Sequence, residues 1–108
     1  MIGETVKVIV DRPIGSVHPK HKNIVYKVNY GFVPRIFAAD GEEQDAYVLG
    51  VKEPLCEFTG RVVAVIHRLN DAEDKWVVAP ENISFTADEI WELVKFQEQY
   101  FEVEILTK

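Results

Sequence analysis

Four carboxylates fall within six residues at Asp40-Gly41-Glu42-Glu43-Gln44-Asp45, directly ahead of the apolar run at residues 46–51. Crowded carboxylates repel one another. A divalent cation that prefers oxygen ligands relieves that repulsion, Mg²⁺ above all and Mn²⁺ as a second choice. If the apolar run is a strand, the acids occupy the turn feeding it, and Gly41 lets that turn tighten. A second acidic cluster, Asn70-Asp71-Ala72-Glu73-Asp74-Lys75, separates the runs at 62–66 and 76–78, and Asp11 ends an alternating run at 6–10. Each of these clusters also has a plain reading as a solvated turn. A common location at one mouth of a barrel would make them a metal site instead.

Charge is unevenly distributed. Residues 1–35 carry a balance of +4, and residues 36–108 a balance of −10, within a net charge of −6. His18 and His21 fall in the basic part. A basic lobe facing an acidic one suits an anionic ligand that arrives with metal. Lysine and arginine would hold phosphate oxygens while carboxylates hold the bridging cations. Tyr26 and Tyr30, four apart in one apparent strand, would place two phenols on one face, either as core rings or as hydrogen-bond partners of a phosphate oxygen or a water.

The elements that must position these groups are mostly strands. Val6, Val8 and Val10 alternate with Lys7, Ile9 and Asp11. A turn-rich stretch at 15–23 follows, then a β-branched and aromatic strand over 24–32 that Pro34 stops. Residues 47–51 predict a third strand. Residues 61–68 predict one buried on both faces, with 76–78 as its hairpin partner. Thr86 and Glu89 form a capping box, and Ile90, Leu93, Val94, Gln97 and Phe101 share one helical face opposite Glu92, Lys95 and Glu98. Alternation at Phe101, Val103 and Ile105 predicts a closing strand. The expected architecture is mainly β, a small OB-like closed barrel of five to six strands, with one C-terminal helix covering an open end.

At 108 residues the chain is one domain. It has no apolar run long enough to span a membrane and no signal-peptide pattern, so a cytoplasmic protein is expected. A single cysteine, Cys56, excludes an intrachain disulfide and a cysteine-based zinc site. Net negative charge makes nucleic acid an unlikely partner.

Two blocks carry a family resemblance: Tyr26-Lys27-Val28-Asn29-Tyr30-Gly31-Phe32-Val33-Pro34 and Asp40-Gly41-Glu42-Glu43-Gln44-Asp45-Ala46-Tyr47-Val48-Leu49. They resemble the hallmark of the family I soluble inorganic pyrophosphatases. Residues 8–16, 70–80 and 96–101 extend the likeness over nearly the whole chain. The resemblance implies an OB-like barrel and hydrolysis of pyrophosphate to phosphate by metal-activated water, with Mg²⁺ as cofactor. It implies that Asp40, Asp45 and Asp74 bind activating metals. Asp11 and Asp71 (or Asn70) would hold metals that arrive with substrate. Glu42 takes the place of the general base. Tyr30, Lys75, Tyr100 and one of Lys20 and Lys22 would contact phosphate. Family members associate, so a homo-oligomer is expected.

The chain departs from that pattern in defined places. Glu42 stands where the family has aspartate, Glu43 and Lys27 where it has prolines, and Phe101 where it has lysine. The family's phosphate-binding arginine lies in a hairpin that this chain lacks, which leaves Arg12 or Arg35 as substitutes. Two alternatives follow from these departures. One is a non-catalytic protein of the same fold that binds a Mg²⁺–phosphate or nucleotide ligand. The other is an OB-type module for single-stranded nucleic acid, using Tyr26, Tyr30 and Phe32.

Overall fold

Alternation of apolar and polar residues builds six strands and one helix in the computed structural model, which describes residues 1–70 and 73–107. In chain order these are β1 (Thr5–Arg12), β2 (Asn29–Phe37), β3 (Glu43–Val48), β4 (Glu57–Arg68), β5 (Asp74–Ala79), α1 (Ala87–Glu98) and β6 (Val103–Leu106). Neighbouring strands run β1-β2-β3-β5-β4, and β1 pairs again with β4, so five strands close a barrel. β6 is an additional strand on β4, pairing Val103 with Arg68 and Leu106 with Val65. The mainly β barrel with a single C-terminal helix is the expected fold. The last strand does not close it; β1 and β4 do.

Each strand presents alternate side chains to two different cores. Val8 and Val10, Val33, Ala46 and Val48, Val62 and Val65, Trp76 and Val78 come from all five barrel strands and fill its interior. The intervening residues Tyr30, Tyr47, Leu49, Ala64, Ile66 and Val77 point outward and pack under Ile90 and Val94 of α1. The helix therefore lies against the barrel wall instead of over an open end. Burying Ile90 and Val94 there contributes about 1.5–3 kcal/mol each.

The helix begins as its sequence implies. The Thr86 side chain accepts from the Glu89 amide, and the Glu89 carboxylate accepts from the Thr86 amide. Its faces are rotated from the expected ones. Leu93 is exposed and Glu98 is fully buried. The helix ends at Glu98, so Phe101 lies beyond it. A buried glutamate reads as a solvent-side residue unless its cation partner, contributed by a distant strand, is known.

Two strand expectations change. Residues 24–28 form no regular strand. They fold back on residues 15–18, with one bridge between Val17 and Val25 and hydrogen bonds joining Tyr26 to Gly15 and Ser16. Pro34 does not end β2, because it lies in the register shift between Val33 and Phe37, where no ladder N–H is required. β3 starts at Glu43, so Glu43 and Asp45 belong to the strand and only Asp40 and Glu42 remain on the turn. Gly31 lies so close to β1 that a Cβ there would approach the Ile9 carbonyl oxygen to 1.8 Å.

Two bulges set which residues face outward. Val10 pairs with Gly31 and Arg12 with Tyr30, which makes Asp11 an extra residue in β1. Val62 pairs with Val78 and Ala64 with Val77, which makes Val63 an extra residue in β4. Strict alternation would send Arg12 inward with Val8 and Val10, and Arg68 inward with Val62. Each bulge reverses the parity and turns an arginine onto the outer wall.

Candidate active site

A cavity of about 430 Å³ opens on that outer wall, between the barrel, the 18–24 segment and the end of α1. Arg12, Arg68 and Lys75 line it together with Tyr30, Asp45 and Glu73, and His18, His21 and Tyr100 stand at its edge. β3 and β5 run parallel with Ala46 opposite Trp76, so the preceding residues Asp45 and Lys75 are neighbours. The Lys75 ammonium, buried on the wall, donates to Asp45 Oδ2 at 2.5 Å and to Glu73 Oε1 at 2.7 Å.

Arg12 is held by phenols. Its Nη1 donates to the Tyr26 hydroxyl at 2.6 Å, and its Cζ lies 5.6 Å and 5.4 Å from the Tyr26 and Tyr30 ring centres. Arg68 is held by a carboxylate. Its Nε and Nη2 donate to both oxygens of Glu98, at 3.0 and 2.8 Å, and its Cζ lies 3.7 Å over the Phe101 ring. Burial raises the Tyr30 hydroxyl well above its ordinary pKa, with the negative charge of Asp45 adding to the effect, so this phenol stays protonated. Burial also lowers His18, with Arg12 and His21 adding repulsion.

The structure brings four of the sequence-derived site residues onto this cavity: Tyr30, Asp45, Lys75 and Tyr100. Others lie elsewhere. Asp40 and Glu42 are on the exposed β2–β3 turn, where Asp40 Oδ1 accepts from the Glu42 amide at 3.0 Å. Asp74 is turned to His67, with Oδ1 2.6 Å from Nδ1. Lys20 and Lys22 are exposed, and their segment sends His18 and His21 into the cavity lining instead. Asp11 occupies the β1 bulge. Its carboxyl is raised by partial burial, opposed by Arg12 and reinforced by the charge of Asp45. Asp71 falls outside the described residues. Of the two possible substitute arginines, Arg12 lines the cavity and Arg35 is exposed.

Sequence reasoning missed Glu73, Arg68, Gln97 and Glu98. The Glu73-Asp74-Lys75 order held a usable signal. In a strand, residues 73 and 75 share a face, so Glu73 accompanies Lys75 and Asp74 does not.

Among the described residues no three histidine, cysteine, aspartate or glutamate side chains converge as a metal cage. Asp45 and Glu73 do share one cation, the Lys75 ammonium. Two carboxylates on a cavity wall match how Mg²⁺ is commonly bound, through one or two carboxylates with waters and substrate phosphates completing the set. The donors thus fit a single hard divalent cation. Tyr26 and Tyr30 are buried, so their faces are not open to stacking by bases.

Three cationic side chains and two carboxylates thus line one cavity on the wall of a closed barrel. A family model described as inorganic pyrophosphatase matches residues 3–103. An inorganic pyrophosphatase of Halobacterium salinarum is 34% identical over 86 residues, covering 73% of this chain and 49% of that protein. A soluble inorganic pyrophosphatase of Oryza sativa subsp. indica is 29% identical over 76 residues, covering 66% of this chain and 36% of the relative. The chain belongs to the inorganic pyrophosphatase family. It spans about half the length of the Halobacterium relative, or less for the rice one.

The fold agrees with solved members. The inorganic pyrophosphatase from Ehrlichia chaffeensis superposes with a TM-score of 0.73 at 23% identity, covering 96% of this chain and 85% of that one. The one from Helicobacter pylori gives 0.70 at 17% identity, covering 97% and 85%. Among the described residues no helix is long and apolar enough to cross a membrane.

Proposed function

We propose that this chain hydrolyses inorganic pyrophosphate to phosphate with a divalent cation, Mg²⁺ or Mn²⁺, as cofactor. The observation that carries the reading is the meeting of Arg12, Lys75, Tyr30 and Tyr100 with Asp45 and Glu73 at one cavity, in a chain of this family.

Arg12 and Lys75 hold anionic oxygens by charge-assisted hydrogen bonds, and the protonated Tyr30 hydroxyl supplies a neutral donor beside them. Tyr100, at the edge of the cavity, contacts phosphate. Asp45 and Glu73 hold the cation, and Asp11, close enough for the charge of Asp45 to act on it, holds the metal that arrives with substrate. When bound, such a cation polarises a phosphoryl oxygen and offsets charge on the departing phosphate. Asp40 and Glu42 act from the adjoining turn, Glu42 orienting the attacking water. Lys20 or Lys22 contributes at the rim, and Asp74 would have to leave His67 to join them. The carboxylates need the cation because an unscreened phosphoanhydride would be repelled by them.

The deciding experiment is phosphate release from pyrophosphate with Mg²⁺ and with Mn²⁺, beside nucleotides and phosphomonoesters. Release from pyrophosphate alone is expected. Release from none of these substrates would sink the reading. The same reading expects self-association and a cytoplasmic location, and light scattering checks the first.

A further inference from the structure

The two arginines on the cavity wall are joined by an unbroken hydrogen-bond chain through the end of α1. Arg12 Nη1 donates to the Tyr26 hydroxyl at 2.6 Å, and that hydroxyl donates to Gln97 Oε1 at 2.5 Å. Gln97 Nε2 donates to the Tyr47 hydroxyl at 2.6 Å, and Tyr47 donates to Glu98 Oε2 at 2.6 Å. Glu98 then accepts from Nε and Nη2 of Arg68. Every donor in the sequence from Arg12 to Glu98 points the same way, so each bond polarises the next. Tyr26, Tyr47, Gln97 and Glu98 are all buried.

A guanidinium has five donors in a fixed plane, so its use depends on which way the plane is set. Arg12 spends one donor on a neutral phenol and leans on two rings, which orients it without neutralising it. The phenol is itself oriented by Gln97, whose amide cannot rotate without breaking the bond to Tyr47. Replacing that anchor by an apolar side chain leaves the Tyr26 hydroxyl to choose another partner and frees the Arg12 plane.

We infer that Tyr26 and Gln97 are positioning residues that aim Arg12 at an oxyanion in the cavity, with Glu98 fixing the far end of the chain. This rests on the reading that the cavity takes pyrophosphate or phosphate. It extends that reading by assigning a task to the helix terminus.

Calorimetric titration with inorganic phosphate in millimolar Mg²⁺ tests it, since phosphate is the product and no turnover intrudes. Arg12→Ala is expected to weaken binding about 10- to 100-fold, the range for a hydrogen bond to a charged group. Gln97→Leu is expected to weaken it about 3- to 10-fold while Arg12 is present, and to have no effect in an Arg12→Ala background, since both act through one contact. Additive losses would overturn the inference, as would full affinity in a folded Gln97→Leu protein. Should Gln97→Leu fail to fold, Tyr26→Phe cuts the same chain by one oxygen, and its titration is judged by the same criterion. Anion binding that follows this pattern in a protein without hydrolysis would uphold the inference and sink only the proposed activity. A parent that binds no phosphate in the presence of Mg²⁺ overturns both.

Discussion

The ammonium of Lys75 lies 2.5 Å from Oδ2 of Asp45, a contact created by the parallel pairing of β3 with β5. A cation taking Asp45 and Glu73 must displace that ammonium. Removing the competitor by Lys75→Gln should therefore enlarge the rise in melting temperature caused by millimolar Mg²⁺ or Mn²⁺, while Asp45→Asn should abolish it. Thermal melts with and without each metal measure both. A parent and a Lys75→Gln protein equally indifferent to metal would remove these carboxylates from consideration.

Glu42 is assigned to water and not to the cation. Glu42→Gln should leave the metal-induced stabilisation in place and lower turnover by about two to four orders of magnitude. Glu43, whose carboxylate instead accepts from the Arg35 amide at 3.0 Å, provides the control as Glu43→Gln. Initial rates of phosphate release at saturating Mg²⁺ compare the three proteins. Equal rates for Glu42→Gln and the parent would mean that the turn does not reach the reacting atoms.

Asp11 should show a conflict between stability and function. Its carboxyl is raised in the folded protein by burial, against the pull of Arg12 and with the push of Asp45. A raised carboxyl contributes stability below its unfolded pKa, and that contribution is lost as pH climbs through the folded value. At neutral pH the charged side chain is then a burden, so Asp11→Asn should unfold at a higher urea concentration than the parent, and the advantage should shrink toward about pH 3.5. Phosphate release should fall in the same variant.

His67 and Asp74 give the pH response of the β4–β5 hairpin. Donating a hydrogen bond to Asp74 raises His67 above its ordinary value of 6.5. The pair therefore stabilises the fold fully below the unfolded histidine pKa, and that contribution disappears as pH rises through the folded value. Asp74→Asn should lower the urea midpoint at about pH 5.5 and leave it little changed at about pH 9, where the imidazole is neutral in both states. A loss of the same size at both pH values would show that Asp74 acts through something other than this imidazolium.

Gly31 has no room for a side chain. A Cβ would meet the Ile9 carbonyl oxygen, a backbone atom that cannot swing away without parting β1 from β2. Gly31→Ala should cost about 3 kcal/mol or more, the upper end of single-substitution effects. Urea unfolding measures the loss, and a cost below 1 kcal/mol would mean that the two strands separate readily.

Local pattern in the sequence determined much of this protein. Period-two alternation implied the barrel strands, Thr86 and Glu89 implied the helix start, and the Asn29-Tyr30-Gly31 and Asp40–Asp45 blocks pointed to the family. Tyr30, Asp45, Lys75 and Tyr100 were named through the family resemblance, and the fold brings them to one cavity. The tertiary structure alone decided the rest. Arg12 and Arg68 reach the cavity only because Asp11 and Val63 are extra residues in their ladders, and a bulge leaves no mark in the alternation of a single strand. Gln97 and Glu98 read as an interruption and a solvent-facing acid, since their partners Tyr26, Tyr47 and Arg68 come from 30 to 71 residues away. Periodicity reports the direction of a side chain relative to its own element. What a buried polar group pairs with depends on which other element the fold brings to meet it.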